Sequence, residues 1–426
     1  MSSQAYTLGE ARPARGRGVR GSLVARQPAL ARMLLAGFIS SSGDRLNQVA
    51  LAAMILGLTG SMISAGLVFV VSTLPYVLFG LPMGALVDRW NRRTTMVLAD
   101  LARAGLVSLI PLAASVSLAL VYPLLFAMTC ATMAFAPSRQ AAVPDLVGEE
   151  DLANANSLFQ AANYLVDLLA YPLAGLMVAG LIERLGTLSG TQVAFSLDAL
   201  SYLASAALIM RLRLDQRAVA RARVPLAGLL GQVREGLSFL RQNASVRTNT
   251  ILLTIGPLML GSLHTLWIGF AWRVSNTGTF GYGVVETCNA IGTLLGLLLL
   301  RQLTPRMRAG RLVLLGLATM GGAVTAAGLT SSLPVVAILS AASGTANMLF
   351  LVPSVTMVQR HTPTELRGRV FSVRLMLTYA AFSASNAVAG GLSDVIGVST
   401  LLCLLGSGML ALALSASFVR SAREAT

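Results

Sequence analysis

The sequence predicts an all-α membrane protein with twelve transmembrane helices in two pseudo-symmetric six-helix bundles. Hydrophobic residues make up 55% of the chain and charged residues only 12%, against roughly 25% charged in typical soluble domains. Apolar runs recur along the chain, each near the length of about 20 residues that crosses a bilayer. One long polar stretch, 212–248, leaves six runs on each side, as expected for two similar halves around a central site.

The individual helices follow from the apolar runs. We predict them at 31–57, 63–87, 94–114, 118–142, 155–181, 190–211, 249–272, 280–302, 311–329, 333–357, 368–392 and 397–419. The N-terminal bundle is then 31–211 and the C-terminal bundle 249–419. Residues 1–30 are rich in Arg, Ala and Gly. They predict a disordered basic tail without a cleavable signal peptide, although their composition also resembles a mitochondrial transit peptide.

The charges predict the orientation. All 32 basic residues are arginine, and nearly all fall in segments that share one side of the membrane if the amino terminus is inside. The opposite loops carry only Glu183, Arg184, Arg273 and Asp394. The positive-inside rule therefore predicts that both termini, including the tail 420–426, are cytoplasmic. Nucleic-acid binding is the alternative explanation of a net charge of +15, but these arginines lie between spans, not on one basic face.

The polar stretch 212–248 is predicted to link the two bundles on the cytoplasmic side. Within it, leucine and valine recur between Leu226 and Leu240 with a helical period. We predict an amphipathic helix lying on the membrane surface. A docking site for a partner protein is the alternative.

A charged loop lies between the second and third predicted helices. Gly84 is followed by Asp88, Arg89, Arg92 and Arg93. Charges this dense cannot lie in hydrocarbon, so they form a short loop at the membrane surface, on the cytoplasmic side because arginine is in excess. The pattern Gly-x-x-x-Asp-Arg-x-x-Arg-Arg resembles the loop between helices two and three of the major facilitator superfamily of secondary transporters.

That resemblance implies the major facilitator fold and a gating role for the loop. In the family the motif locks the cytoplasmic side of the outward-open state against the eleventh span, here the region from Arg367 to Val370. Arg92 and Arg93 would anchor to headgroups or carbonyls. A basic loop that only sets topology is the alternative, and it explains the arginines but neither Gly84 nor Asp88.

Further loops resemble one branch of this superfamily. Residues 144–157, 363–372 and the Ala136-Pro137-Ser138-Arg139 segment are similar to drug:proton antiporters that include macrolide and enterobactin exporters. In span five, Pro172 and Gly175 partly match the antiporter motif Gly-Pro-x-x-Gly-Gly. Proline removes a backbone hydrogen bond and kinks the helix.

The resemblance implies proton-driven efflux of a lipophilic or amphipathic organic compound, by alternating access, at a bacterial cytoplasmic (inner) membrane. Expected partners are the small-molecule substrate, protons and the lipid bilayer, with a monomeric chain. An uptake symporter or uniporter of the same fold is the nearest alternative, and a non-transporting receptor is a further one. A membrane transferase would need clustered acidic metal ligands at a membrane face, so we predict no enzyme.

Asp44 is the first candidate for proton coupling, because an ionisable group inside a membrane span requires a functional or structural reason. It lies near the middle of the first predicted span. Ser41, Asn47 and Gln48 are three or four residues away and share its face of the helix. We predict that this polar face lines a watery cavity, where Asp44 could exchange a proton. A structural ion pair with Arg45 or Arg103 is the alternative.

Other titratable groups lie within spans. Asp167 and Glu286 are candidate proton or cationic-substrate sites by the same argument. Asp100 and Arg103, three residues apart on one helix, predict a structural pair. A lone histidine on an apolar helix, His264, is interpreted as a hydrogen-bonded packing residue. No Gly-x-x-x-x-Gly-Lys-Ser/Thr loop can occur in a chain without lysine, so ATP hydrolysis is not expected, nor is any cofactor or metal.

Overall fold

A computed structural model describes residues 23–87, 90–212, 261–362 and 364–418, together with Gly231, Ser238 and Leu258. Predictions for 1–22, Asp88, Arg89, most of the linker 212–248 and the tail 420–426 lie outside the described residues. A single helical turn, Leu23–Arg26, precedes the first long helix.

The described chain is a bundle of long helices, numbered here in chain order. The N-terminal half contains α1 Pro28–Thr59, α2 Met62–Val87, α3 Arg92–Val116, α4 Val121–Leu146, α5 Leu152–Leu185 and α6 Thr187–Met210. The C-terminal half contains α7 at 261–269, which ends in a π-helical turn Phe270–Val274, then α8 Gly278–Leu303, α9 Ala309–Gly328, α10 Leu333–His361, α11 Thr364–Ile396 and α12 Val398–Phe418. The order agrees with the predicted spans.

Several helices extend beyond their apolar runs. Helix α1 begins at Pro28, where proline at the first position needs no hydrogen-bonded N–H, and its Leu30 is fully buried. Helix α4 continues through Pro137 and Pro144 to Leu146. Hydropathy alone places the end of a span where polar residues begin, but a helix continues into the interfacial region as long as its backbone hydrogen bonds are satisfied.

The packing separates the helices into two halves. In the N-terminal half α1 packs on α5 and α6, α3 on α4 and α6, and α2 on α4; in the C-terminal half α10 packs on α8 and α9, and α9 on α12. The main contacts between halves are α2 with α11 and α5 with α8. These two contacts are related by exchanging the halves, since α2 corresponds to α8 and α5 to α11.

Within the described ranges, nine helices are long and apolar enough to cross a membrane. Small residues bring some of them close together. A Cβ on Gly292 or Gly296 of α8 would overlap the carbonyls of Ala341 and Thr345 on α10, so the Gly-x-x-x-Gly spacing permits backbone contact between these helices. The chain is thus an integral membrane protein of the helical-bundle type.

Candidate functional site: a polar cavity between the halves

A cavity of about 350 Å³ lies where the two halves meet. The N-terminal half contributes lining residues from α1, α2 and α5, and the C-terminal half contributes others from α7, α8 and α11. The lining residues are Arg45, Gln48, Phe69, Tyr164, Asp167, Tyr171, His264, Glu286, Asn289, Ala290, Thr293 and Phe382. Two of the three acids predicted for coupling, Asp167 and Glu286, therefore face one cavity.

An ion pair occupies the N-terminal wall. Arg45 Nε donates to Asp167 Oδ1 at 2.7 Å, and both side chains are about one-third exposed or less, at 32% and 26%. The Arg45 guanidinium also lies 5.3 Å from the centre of the Tyr171 ring. Each charge in this pair is neutralised by the other, and the contact joins α1 to α5.

Gln48, predicted to line the cavity, joins three helices. Tyr171 donates its hydroxyl to Gln48 Oε1 at 2.9 Å, and Gln48 Nε2 donates to the Tyr282 hydroxyl at 3.2 Å. Tyr282 belongs to α8, so this chain of hydrogen bonds crosses from the N-terminal to the C-terminal half.

The opposite wall carries an acid without a strong partner. Glu286 is 6% exposed, and its Oε1 has no hydrogen-bond partner among the described residues. His264 Nδ1 lies 3.4 Å away from this oxygen and is likewise without a hydrogen bond. The His264 ring lies between Phe69 and Phe382, with centroid distances of 5.9 and 5.7 Å. His264 is thus a cavity residue facing an acid, and its interpretation as a hydrogen-bonded packing residue was wrong.

Asp44 lies in a different environment from the one predicted for it. Its carboxylate accepts a hydrogen bond from the Tyr202 hydroxyl on α6, and Asp44 is not among the described residues that line the cavity. Asn47 also turns toward α6, where its Nδ2 donates to Asp198 Oδ2 at 2.8 Å. The polar face of α1 is therefore divided, with Arg45 and Gln48 on the cavity and Asp44 and Asn47 against α6.

The predicted structural pair is present inside the N-terminal half. Arg103 donates to the Asp100 carboxylate, and both side chains are buried. The Arg103 guanidinium lies 4.5 Å from the centre of the Phe135 ring and 4.4 Å from that of Tyr202. Tyr202 thus connects this pair to Asp44. The alternatives of an Asp44 ion pair with Arg45 or Arg103 are not found, since both arginines bind other acids.

Two close helix crossings lie on one side of the cavity. This side, called the outer end here, carries the α1–α2 turn at residues 60–61. A Cβ on Gly175 would come within 2.9 Å of the Thr279 carbonyl oxygen, and one on Gly66 within 2.6 Å of the Asn386 carbonyl oxygen. Gly175 faces Gly283 across α5 and α8, and Gly66 faces Gly390 across α2 and α11. The two crossings pack the halves together at the outer end.

Pro172 and Gly175, the antiporter-like pair, belong to this arrangement. Pro172 lies inside α5 without ending it, and Gly175 makes the close contact with α8 described above. The sequence indicated a kinked helix, but the partner helix became visible only in the structure.

A polar latch closes over the same end. Asp394 of α11 accepts hydrogen bonds from the backbone N–H groups of Met62 and Ile63 at 3.1 and 3.0 Å. Arg273 pairs with Asp394 at 2.6 Å and donates to the Gly60 carbonyl at 2.6 Å. Two residues of the C-terminal half thus hold the first turn of α2 in the N-terminal half. In the sequence, Arg273 and Asp394 stand out only as sparse charges of the predicted outer loops.

The opposite, inner end is less tightly packed between α5 and α8. A cleft of about 580 Å³ is lined by residues of α5 from Asn156 to Leu168 and by Leu294 of α8. Tyr164 lines both this cleft and the cavity, so the two are neighbours. Between α2 and α11, in contrast, Tyr76 and Tyr379 stack at 4.4 Å.

The charged loop is described in part. Gly84 lies within α2, and Arg92 and Arg93 begin α3, where Asn91 accepts from the Thr94 N–H as a helix cap. Arg92 binds Asp145 at 2.5 Å, and Arg93 donates to the Met210 carbonyl. These arginines tie α3 to α4 and α6. The predicted anchoring to a carbonyl is thus found for Arg93, whereas Arg92 pairs with an acid.

Ser41, the remaining predicted cavity residue, is half-buried on α1 and is not among the described lining residues.

Among the described residues, no group of three or more His, Cys, Asp or Glu side chains is placed to hold a metal ion. The cavity therefore offers charge, hydrogen bonding and aromatic surface for a ligand.

Comparisons with known proteins agree with this architecture. The profile of the transmembrane secretion effector family matches residues 24–425. The multidrug efflux pump Tap of Mycolicibacterium fortuitum is 27% identical over 400 residues, covering 92% of this chain and 96% of Tap. Macrolide efflux protein A of Streptococcus pyogenes is 23% identical, covering 88% and 92%. Among solved structures, the nucleoside transporter NupG superposes with a TM-score of 0.74 at 12% identity, over 91% and 98% of the two chains.

Proposed function

Because the chain belongs to the transmembrane secretion effector family of the major facilitator superfamily, we propose that it exports a lipophilic or amphipathic organic compound by proton antiport. The chain is an integral membrane protein, and its relatives are named as drug and macrolide efflux pumps. We further propose that it lies in a bacterial cytoplasmic membrane with both termini inside.

The observation that carries the proposal is the position of the cavity. It lies between the two halves, beyond two glycine crossings and a latch at one end and beside a cleft at the other. A carrier with this arrangement would admit its ligand from the inner end and release it after the α2–α11 and α5–α8 contacts at the outer end separate. That sequence of events is alternating access.

Coupling to protons requires ionisable groups that respond to the state of the cavity. Asp167 and Glu286 line it, and Asp44 reaches α6 through Tyr202. A carboxylate in a low-dielectric interior is costly unless it is paired, so its protonation can be linked to ligand binding. We propose these three acids as the coupling groups. In the alternative function, an uptake symporter of the same fold, the same acids would couple ligand movement in the opposite direction.

The test is proton-driven uptake into inverted vesicles containing the purified protein, screened over antibiotics, dyes and siderophores. Each acid is neutralised separately, as Asp44→Asn, Asp167→Asn and Glu286→Gln. We expect at least one variant to lose gradient-driven uptake while still exchanging labelled for unlabelled compound across the membrane. Gradient-driven uptake that survives in all three variants would refute coupling through these acids, and exchange without any gradient effect in the native protein would indicate a uniporter.

A further inference from the structure

We propose that the turn between α8 and α9 is a binding site for the headgroups of anionic phospholipids. The turn lies at the inner end of the protein, away from the residues that line the cavity. It carries four arginines in a short stretch of sequence: Arg301, Arg306, Arg308 and Arg311. Because the site lies outside the transport path, the inference goes beyond the proposed function and does not depend on it.

The four arginines lack a countercharge. All four are exposed, and none has a hydrogen bond, ion pair or ring contact with another residue that the structure describes. The sequence contains no acid between Glu286 and Glu365, and α10 and α12, on which α9 packs, contain none. Helix α8 also packs on α5, but Asp167 there is bound to Arg45 and Glu183 lies at the outer end. The helices around the turn therefore leave its charge unbalanced.

The corresponding turn of the N-terminal half is arranged differently. Between α2 and α3, Arg92 binds Asp145 at 2.5 Å and Arg93 donates to the Met210 carbonyl. Between α8 and α9, three of the four arginines surround the start of α9, and Arg308 is its N-terminal cap without a side-chain hydrogen bond. The helix dipole makes this end positive, so it adds to the arginine charges and does not offset them. An anion from the surroundings would relieve this repulsion.

The backbone of the turn is held in place. The N–H groups of Arg306 and Met307 both donate to the Leu303 carbonyl at 2.9 Å. Leu303 and Met307 also pack against a small buried cluster that includes Leu300 and Leu312. The arginines are therefore carried on a preformed turn, which lowers the entropy lost when a ligand orders them.

The position of the turn favours a lipid as the source of the anion. Leu298 of α8 is 62% exposed and Leu315 of α9 is 40% exposed. At a rise of about 1.5 Å per residue, they lie about 4.5 Å from Arg301 and about 6 Å from Arg311 along the two helix axes. The arginines are thus next to surface that acyl chains would cover.

Guanidinium groups bind phosphate oxygens through paired hydrogen bonds. A cluster of about four to eight basic residues directly beyond a membrane span favours anionic lipids. A zwitterionic headgroup balances its own phosphate with an amine and would leave the turn charged. A soluble phosphate shares the headgroup chemistry, but it would gain nothing from the exposed leucines. The occupant we infer is therefore an anionic phospholipid such as phosphatidylglycerol.

The test measures which lipid lies beside the turn of the full chain in vesicles. Gln302, which is exposed, is replaced by cysteine in a protein without native cysteines and labelled with a fluorophore. The vesicles are phosphatidylcholine with a small fraction of nitroxide-labelled lipid, either phosphatidylglycerol or phosphatidylcholine, labelled near the top of the acyl chain. We expect quenching that corresponds to at least about threefold enrichment of phosphatidylglycerol, and a smaller enrichment at high salt.

Variants show whether the arginines of the turn cause the enrichment. Arg306→Gln combined with Arg308→Gln should reduce it to below about 1.5-fold. Lysine at both positions should retain most of it, because the charge remains, and this separates lost charge from misfolding. Arg420→Gln combined with Arg423→Gln removes the same charge from the tail 420–426; this matched control should keep the native enrichment.

Equal quenching by the two lipids in the native protein would overturn the proposal, as would native enrichment in the glutamine variant at 306 and 308. Loss of the enrichment on adding millimolar glycerol phosphate would assign the turn to a soluble anion and would also overturn it. The measurement does not involve transport. A chain that enriches phosphatidylglycerol at the turn but exports nothing would refute the proposed function and leave the lipid site standing.

Discussion

Removing the Asp394 carboxylate should favour separation of the two halves at the outer end of the protein. Asp394 caps the first turn of α2 through the Met62 and Ile63 N–H groups and binds Arg273. A helix cap contributes about 0.5–2 kcal/mol. The ion pair is partly exposed, at 36% for Arg273 and 21% for Asp394, so it adds only about 0–1 kcal/mol. Asp394→Ala should therefore destabilise the closed outer end by about 0.5–3 kcal/mol.

That cost applies only while α2 and α11 are in contact at the outer end, because the latch joins the two halves. The population of molecules open at this end should rise by about 2- to 150-fold relative to the native protein. Asp394→Asn keeps an oxygen acceptor for the N–H groups and loses the charge, so its effect should be smaller than that of alanine.

The assay is pulsed electron–electron double resonance, which measures the distance between two spin labels. The labels are attached to introduced cysteines in a protein whose native cysteines have been replaced. Labels at Leu185 and Phe280 suit it, since both are exposed and lie at the outer ends of α5 and α8. We expect a new, longer distance in Asp394→Ala and no change in Glu183→Ala, which removes an exposed acid from the same end. A distance distribution in Asp394→Ala that matches the native one would refute the latch.

Two further predictions concern the polar contacts of α1. Arg45→Met and Asp167→Asn should each destabilise the protein, and the double variant should regain part of the lost stability. We expect a coupling energy of about 1 kcal/mol for this partly exposed pair. Strictly additive effects of the two substitutions in a thermal unfolding cycle would contradict this prediction. Asn47→Leu should lower the free energy of unfolding by about 1–3 kcal/mol because it removes a donor from buried Asp198. Unfolding in mixed detergent and SDS micelles measures this, with Asn163→Leu on α5 expected to have a smaller effect.

The sequence predicted most of the fold, because membrane helices satisfy their backbone hydrogen bonds internally. Each helix can therefore be recognised from the length of one apolar run in the sequence. The helix order and the Asp100–Arg103 pair follow from residues close together in the chain, whereas the predicted division at 212–248 lies mostly outside the described residues. The Gly292-x-x-x-Gly296 spacing is of the kind that permits a close helix contact, but only the structure identifies α10 as the partner helix.

The site was predicted only in part, for a physical reason. The period of 3.6 residues places Asp44, Asn47 and Gln48 near one face of α1, but a face about 100° wide meets more than one neighbour in a bundle. The structure directs Asp44 and Asn47 to α6 and leaves Gln48 on the cavity. Only the packing of neighbouring helices decides which part of a polar face lines the cavity.

What the sequence by itself determined is the membrane class, the helix order and the superfamily, since each depends on composition, charge or a short motif. The tertiary structure alone decided which distant groups meet: Arg45 with Asp167, Glu286 with His264, and Asp394 with the first turn of α2. These pairs are separated by between 22 and more than 300 residues. Their energies depend on distances of a few ångströms across helix interfaces, which no local pattern specifies.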